Sequence, residues 1–410
     1  MVAFHLTCCE CGARHAERDV RYVCPACASL QEPGGPTRGV LQVVLEDLPS
    51  RWPEGPMHSP EALARWLPID SPDHLPPVPV GGTPLLAVPR LRAELGMPRL
   101  WVKDDTRNPS GSTKDRASQL VVAKAAEYGC GTVVAASTGN AATALSCLAA
   151  AAGLRAVVFV PASAPPAKLV QMASYGARLM PVDGTYDQAF ELSLLASARF
   201  GWYNRNTAYN PFTIEGKKTT ALEIAHQLSP EVPDVVLVPT GDGVIISGVA
   251  KGFRDLERAG LIPRRPRLLS VQPEGSGAIA RALRSGAASI TAEPGAASVA
   301  DSLVVGAPRN AILALQEVRA SGGTGVLVAD EAILEAIGHL ARSTGVFAEP
   351  AAAAALAGLL VALEEGLVGR HERAVLLVTG TGLKDVAAAA RRVSIPPAAA
   401  PDPSSLDPLA

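Results

Sequence analysis

Short apolar runs alternate with helical patterns along most of this 410-residue chain. Runs rich in β-branched residues include TVVAA at 132–136, DVVLVP at 234–239 and AVLLV at 374–378, and a glycine-containing loop follows each one. Strands that are apolar on both faces are typical of parallel sheets covered by helices on both sides. Because roughly 300 residues follow this pattern, which is too many for one simple sheet, we predict an α/β fold with two parallel-sheet lobes and a cleft between them.

The chain outside this pattern divides into three further segments. Residues 1–32 are rich in cysteine, and residues 33–79 form a Pro/Gly-rich arm that we predict to be irregular, with a short helix near 60–67. The two-lobed domain then covers 80–395, with the smaller lobe at roughly 115–205. The Pro/Ala/Ser-rich tail at 396–410 is predicted to be disordered.

Charge and hydropathy exclude several classes of function. The formal net charge is −2, with 37 Lys and Arg against 39 Asp and Glu, so no basic surface for nucleic acid or for membrane lipids is indicated. The first residues lack the apolar segment of a secretory signal. No apolar run reaches the roughly 20 residues that a membrane-spanning helix needs. We therefore expect a cytoplasmic protein with no nucleic-acid or membrane partner.

Four of the seven cysteines form two C-x-x-C pairs, Cys8 with Cys11 and Cys24 with Cys27. Two such pairs can bring four thiolates onto one tetrahedral Zn²⁺, as in a zinc ribbon. Cys9 is surplus, because Cys8 keeps the usual spacing. A redox pair, disulfides or a site without metal are the alternatives, and a reducing cytosol favours metal over disulfides.

The loop at 103–116, KDDTRNPSGSTKDR, connects a predicted strand at 100–103 to a helix pattern at about 115–128. A loop of turn formers that opens a helix presents backbone N–H groups to a ligand. Lys114 stands at this junction. A loop lysine is usually a solvated charge; the alternative is a partly desolvated amine that attacks a carbonyl and forms a Schiff base.

Three more glycine loops follow predicted strands, where open α/β sheets bind ligands. The loop at 137–140 could bind a carboxylate or cap its helix. The loop at 240–243 lacks both the dinucleotide fingerprint and the Walker lysine, so a small cofactor's phosphate fits it better. Thr379 ends a strand, where its hydroxyl could meet a ring nitrogen or only local backbone. The segment at 206–219 could bind an anionic substrate, and Glu349 is a reasonable helix cap.

Six motifs together resemble threonine synthases, which belong to the tryptophan-synthase-β-like, fold type II group of pyridoxal-phosphate enzymes. The motifs are GGTPL at 81–85, NPSGSTKDR at 108–116, ASTGN at 136–140, NPFTIEGKKT at 210–219, VPTGDG at 238–243 and VTGTGLKD at 378–385. The resemblance covers roughly residues 80–392, and the cysteine pairs are also similar to those of many threonine synthases.

The resemblance implies a carbon–oxygen lyase that converts O-phospho-L-homoserine and water into L-threonine and phosphate, and it implies a homodimer. Lys114 would form the Schiff base with pyridoxal phosphate and shuttle protons. The other cofactor contacts would be Asn140 to the 3′ oxygen, Thr379 to the ring nitrogen, and Thr240, Gly241, Asp242 and Gly243 to the phosphate. The implied amino-acid substrate contacts are Ser137, Thr138, Asn206, Thr207 and Thr213.

One departure from the family's pattern leaves the substrate open. Thr213 stands where the family carries an arginine for the substrate phosphate, and a hydroxyl cannot replace bidentate recognition. Lys217 or Arg205 could compensate. The segment at 298–310, SVADSLVVGAPRN, is similar to threonine and serine dehydratases. The alternatives are therefore a related β-elimination or β-replacement enzyme, dehydratase-like or cysteate synthase-like, or a silent family member that binds metal or a partner.

Overall fold

A computed structural model describes residues 2–32, 34–162, 166–184, 186–396, 398 and 401. The predicted disordered tail at 396–410 lies almost entirely outside these residues. The strands within them are β1 (Phe4–Cys8), β2 (Arg14–His15), β3 (Leu41–Leu45), β4 (Leu85–Ala87), β5 (Leu100–Asp104), β6 (Thr132–Ala136), β7 (Arg155–Pro161), β8 (Arg178–Val182), β9 (Tyr203–Asn204), β10 (Val235–Pro239), β11 (Arg267–Pro273), β12 (Thr324–Val328) and β13 (Ala374–Val378).

The α-helices of the described residues connect these strands. They are α1 (Pro25–Ala28), α2 (Pro60–Trp66), α3 (Pro89–Leu95), α4 (Lys114–Glu127), α5 (Asn140–Ala151), α6 (Pro166–Ser174), α7 (Tyr186–Phe200), α8 (Phe212–Lys217), α9 (Thr219–Leu228), α10 (Val244–Arg258), α11 (Ala278–Ser285), α12 (Ala311–Ala320), α13 (Asp330–Thr344), α14 (Pro350–Glu364) and α15 (Val386–Ala390). In the part of the chain that the structure describes, no helix is long and apolar enough to cross a membrane.

Two parallel sheets form the main body, as predicted. The larger sheet has the order β12-β11-β10-β13-β5-β4, and β4 is its antiparallel edge strand. The smaller sheet has the order β8-β7-β6-β9, and its pairs are parallel. Right-handed strand–helix–strand connections place the loops after the strands at one edge of each sheet. The α/β fold class with two sheet lobes is confirmed.

Alternate residues of the central strands face two separate cores. Val235 and Leu237 of β10 pack in the core that contains α13 and α14. Val236 and Val238 pack with α9 and α10 on the other face. Helix α14 is alanine-rich and buried along most of its length, because small side chains let it lie directly on the sheet. Burial on both faces explains why these strands have no polar alternation.

The arm at 33–79 is not entirely irregular, because β3 lies within it. Leu41, Val43 and Leu45 are buried, whereas Gln42 and Val44 are partly exposed. This period-2 alternation indicates a strand with one buried face, and the sequence analysis missed it. The strand pairs antiparallel with β1 in a small sheet of order β2-β1-β3. The predicted short helix is confirmed as α2, and its cap Ser59 accepts a hydrogen bond from the backbone of Ala62 at 3.2 Å.

The segment that contains β1, β2 and β3 packs against the two-sheet body at several points. Tyr22 stacks on Tyr209 with ring centroids 4.6 Å apart. The backbone N–H of Thr37 donates to the carbonyl of Arg309 at 2.8 Å. Arg254 of α10 donates to Gln42 of β3 at 2.6 Å. These contacts bring residue 34 to the rim of the main cavity.

Candidate active site

A cavity of about 610 Å³ lies between the two sheets. The loop after β6 and the loop after β10 enter it from opposite lobes, as expected where strand ends meet in open α/β sheets. Of the predicted site residues, it is lined by Lys114, Ser137, Thr138, Asn140, Thr207, Gly241, Asp242 and Gly243. The structure thus brings together residues that are far apart in the sequence.

Lys114 is the first residue of α4, and its loop is pinned to the end of β13. The backbone N–H of Thr113 donates to the carbonyl of Thr379 at 2.8 Å, and Ser112 forms an isolated bridge with Gly380. Burial lowers the pKa of Lys114 to about 8, against the attraction of Glu349, and the positive charge of Arg205 adds to the lowering. Roughly a tenth of this amine is therefore neutral at pH 7, far more than for an ordinary lysine, and the neutral form is the nucleophile.

A buried ion network holds the start of α4 in place. Arg116, two residues after Lys114, donates to Asp105 at 2.8 Å and to Glu223 at 2.7 Å. Lys103 donates to Glu223 at 2.7 Å as well. All four side chains are at most 3% exposed, and their formal charges cancel. The guanidinium also donates to the hydroxyls of Thr83 and Thr219, so this network ties the turn at 81–83 and helix α9 to the start of α4.

Asn140 begins α5 and contacts Glu349 across the cavity. Asn140 Nδ2 donates to Glu349 Oε1 at 2.7 Å. Asn140 Oδ1 is buried and has no hydrogen-bond partner among the described residues. An acceptor left in this position matches the ring hydroxyl of the implied cofactor. Glu349 occupies the N-cap position of α14, as the sequence indicated, but its side chain makes no capping hydrogen bond and accepts from Asn140 instead.

The loop at 241–243 forms a phosphate-sized cradle at the start of α10. The N–H groups of Gly241, Asp242 and Gly243 have no acceptor within the described part of the chain. Asp242 faces away, because its side chain accepts from the backbone N–H of Arg309 at 3.0 Å. Gly243 has φ +89°, and a Cβ there would lie 2.7 Å from the Cβ of Ala314. Free N–H groups at the N-terminus of a long helix suit a phosphate, so the residues present fit pyridoxal phosphate.

Four predicted residues lie outside the cavity lining. Thr240 donates to the carbonyl of Val238 at 2.9 Å. Thr213 donates to the carbonyl of Asn210 at 2.7 Å, and Asn206 bonds Ser193 and the backbone of Ala136. These three have local structural contacts instead of a free polar group. Thr379 is also buried, but its hydroxyl makes no hydrogen bond to a described residue, so its predicted contact with a ring nitrogen stays open.

Several lining residues were not predicted. Tyr186 and Asp187 begin α7 on the smaller lobe, and Arg309 faces them from the larger lobe, where it pairs with Asp187. Near the same rim, Lys168 of α6 forms an ion pair with Asp301 at 2.5 Å. The sequence carries no local signal for these contacts, because they depend on how the two lobes meet.

The four predicted metal ligands form one cluster. The sulfur atoms of Cys8, Cys11, Cys24 and Cys27 all lie within 4.8 Å of one another. Cys8 and Cys27 are 3.7 Å apart, and Cys11 and Cys24 are 3.8 Å apart. A tetrahedral Zn²⁺ with Zn–S bonds of about 2.3 Å requires sulfur–sulfur distances of about 3.8 Å. The cluster therefore fits a structural zinc ion.

Replacing Cys24 with serine is expected to lower the zinc content from about one ion per chain to nearly none, because three thiolates and a hydroxyl bind zinc poorly. The thermal midpoint should fall as well, since metal binding contributes to folding. Mass spectrometry of the metal in purified protein measures the first effect. The control is Cys9→Ser, which changes a neighbouring thiol outside the cluster. Equal zinc content in both variants would rule out the four-cysteine site.

Comparisons with known proteins place the chain in a family. The family model described as pyridoxal-phosphate dependent enzyme matches residues 78–380. The chain is 38% identical over 388 residues to the threonine synthase of Methanosarcina acetivorans. This match covers 93% of this chain and 92% of that enzyme. It is 36% identical to the threonine synthase of Methanocaldococcus jannaschii, over 94% of both chains.

Solved structures share the fold. Maize serine racemase superposes with a TM-score of 0.64 and 25% identity, over 73% of this chain and 87% of that protein. Diaminopropionate ammonia lyase from Escherichia coli superposes with a TM-score of 0.65 and 19% identity, over 75% and 86% of the two chains. The latter likeness concerns the fold alone.

Proposed function

Since this chain belongs to the family of pyridoxal-phosphate-dependent enzymes, we propose that it is a threonine synthase-like lyase that converts O-phospho-L-homoserine and water into L-threonine and phosphate. The observation that carries the proposal is the convergence on one cavity of a half-buried lysine, an unpaired asparagine oxygen and a cradle of free N–H groups. The length of the match to threonine synthases supports the reaction class, and the substrate is a small amino acid.

The residues of the chain divide the chemistry among them. When bound, pyridoxal phosphate supplies an electron sink for the negative charge that develops at the substrate's Cα. Lys114 removes the Cα proton and then the Cβ proton, which its lowered pKa permits near neutral pH. Ser137 and Thr138, at the start of α5, hold the substrate carboxylate. The facing lobes limit the access of water to this space.

Thr379 influences which reaction the site favours. If Thr379 meets the ring nitrogen of the bound cofactor, its hydroxyl would not hold a proton there as an aspartate would, and the ring would withdraw electrons less strongly. A weaker sink suits elimination better than transamination. This assignment rests on the position of Thr379 directly after β13 and next to the lysine loop.

Thr213 favours a second candidate, a β-elimination or β-replacement enzyme with another amino-acid substrate. Its hydroxyl bonds the carbonyl of Asn210 inside the protein and does not line the cavity. The arginine that the family uses for the substrate phosphate therefore has no direct substitute at this position. A dehydratase acting on threonine or serine needs no phosphate site.

An assay with O-phospho-L-homoserine separates the two candidates. We expect threonine and phosphate to appear in equal amounts, measured by amino-acid analysis and phosphate release. L-threonine, L-serine and O-phospho-L-serine should be tested in parallel. A keto acid formed from threonine or serine, with phosphohomoserine unchanged, would contradict the proposal and favour the dehydratase.

The homodimer and the cytoplasmic location stay predictions. Light scattering of the purified protein would measure the oligomeric state.

A further inference from the structure

Two cations face the cavity region without an acidic partner. Lys217 ends α8 and lines the cavity, although it is only 2% exposed. Its amine makes no ion pair or hydrogen bond with any residue that the structure describes. The arginine among the described lining residues, Arg309, is paired with Asp187. A buried, uncompensated ammonium is costly, so Lys217 is a candidate for binding an anionic ligand.

Arg205 is the second cation, and it is 1% exposed. Its NH1 donates to the hydroxyl of Thr207 at 3.0 Å, and Thr207 lines the cavity. Its NH2 is buried and has no partner among the described residues. A guanidinium carries five N–H donors in a rigid fork that matches phosphate oxygens. Arg205 itself is not part of the cavity lining, so it acts there through its positive charge and through its hydrogen bond to Thr207.

Arg205 is close enough to Lys217 to influence its charge state. Burial lowers the pKa of Lys217 well below its ordinary value, and the positive charges of Arg205 and Lys114 add to this effect. Asp242 is the acid that opposes it, but the carboxylate of Asp242 already accepts a hydrogen bond from Arg309. An anion bound beside Lys217 would compensate the neighbouring positive charges and favour the charged form of its amine.

Close packing holds the stem of Lys217 in position. A Cβ at Gly248 of α10 would lie 2.6 Å from the Cβ of Lys217, so only glycine lets the two helices approach this closely. The backbone and the Cβ of Lys217 are therefore fixed by this helix contact, at the edge of the cavity that the side chain lines.

We propose that Lys217 and Thr207 bind the phosphate of the substrate, with the positive charge of Arg205 behind Thr207, and that they replace the arginine that is absent at position 213. This inference rests on the proposed function. The cofactor's phosphate has its own donors in the N–H groups of residues 241–243, so a second dianion requires a second set. When the bond between Cγ and oxygen breaks, its electron pair stays on the leaving phosphate oxygen, and the two cations stabilise that charge.

Lys217→Met tests the assignment. We expect the KM for O-phospho-L-homoserine to rise roughly 10- to 100-fold, because a charged hydrogen-bond donor is lost. The affinity for pyridoxal phosphate, measured by absorbance titration, should change less than about twofold. Lys217→Arg should recover much of the lost affinity, since it restores a cation. Arg107→Met removes one positive charge from the exposed surface and is the control for overall charge.

Inhibition by inorganic phosphate tests the same site independently of the KM for the substrate. Inorganic phosphate should inhibit the parent protein in competition with the substrate, and Lys217→Met and Thr207→Val should weaken that inhibition. If the variant loses cofactor affinity while KM is unchanged, Lys217 holds the cofactor's phosphate and the inference is wrong. Unchanged values for both would also overturn it. If the parent does not act on phosphohomoserine, the proposed function fails, and calorimetry with inorganic phosphate still tests the site.

Discussion

Replacing Lys114 with alanine is expected to abolish the visible absorbance of the bound cofactor and to reduce activity by roughly 10³-fold or more. The lysine holds the cofactor covalently and moves the substrate's protons, so one substitution removes two functions. Lys114 lies at the first turn of α4, where the hydrogen bond between Thr113 and Thr379 fixes its backbone. Among the described residues that line the cavity, no other amine is held in this way. Absorbance spectra and single-turnover kinetics measure the two effects.

Lys384→Met is the matched control for the lysine assignment. Lys384 is near enough to influence the pKa of Lys114, but its amine bonds Gln171 at 3.1 Å. The control should retain the cofactor absorbance. A cofactor adduct that borohydride still reduces in Lys114→Ala would show that another amine carries the Schiff base.

Because the pKa of Lys114 is lowered to about 8, cofactor capture by the cofactor-free protein should accelerate as the pH rises through 8 and then level off.

Replacing Arg116 with methionine is expected to lower the free energy of unfolding by about 3–5 kcal/mol. The substitution leaves Asp105 and Glu223 buried with only Lys103 to balance them. It also leaves the hydroxyls of Thr83 and Thr219 without their donor. Desolvation opposes ionisation of both acids, but Arg116 holds the pKa of each below its ordinary value. Denaturant unfolding followed by fluorescence measures the change.

The control for this prediction is Arg90→Met. Arg90 pairs with Glu94 at 2.9 Å, but its side chain is 66% exposed, so the loss should stay below about 1 kcal/mol. Equal losses in the two variants would show that burial of the Arg116 network adds no stability beyond that of an exposed ion pair.

The sign of the pH effect on stability follows from the lowered pKa values of Asp105 and Glu223. Their contribution is complete above about pH 5, where both acids would be ionised in the unfolded chain, and it is lost as the pH falls toward their folded-state pKa values.

The sequence predicted the strand ends that carry the site, because these strands are apolar runs bounded by turn formers. β6 and β13 begin and end at the predicted residues, and β10 begins one residue later than expected. The loops after them therefore lie where sheet geometry requires. Lys114, Asn140 and the cradle at 241–243 could be located for the same reason.

The remaining features depend on contacts between distant segments. The bond between Asn140 and Glu349 joins residues of two lobes, and no periodicity in either segment indicates it. Thr213 was assigned by alignment to a motif, whereas its side chain follows the local turn and bonds Asn210. β3 was missed for another reason: five residues with period-2 alternation are a weak signal beside many prolines and glycines.

The position of β13 has a consequence for how the chain is completed on the ribosome. β13 lies between β10 and β5, so it separates two strands that are synthesised before it. Until residues 374–378 have left the ribosome, β4 and β5 have no partner that joins them to the rest of the larger sheet. The loop that carries Lys114 is completed at the same stage, because Thr113 bonds the carbonyl of Thr379 directly after β13. A growing chain therefore gains its cofactor pocket only after residues 374–379 have been synthesised, long after the four-cysteine segment has emerged.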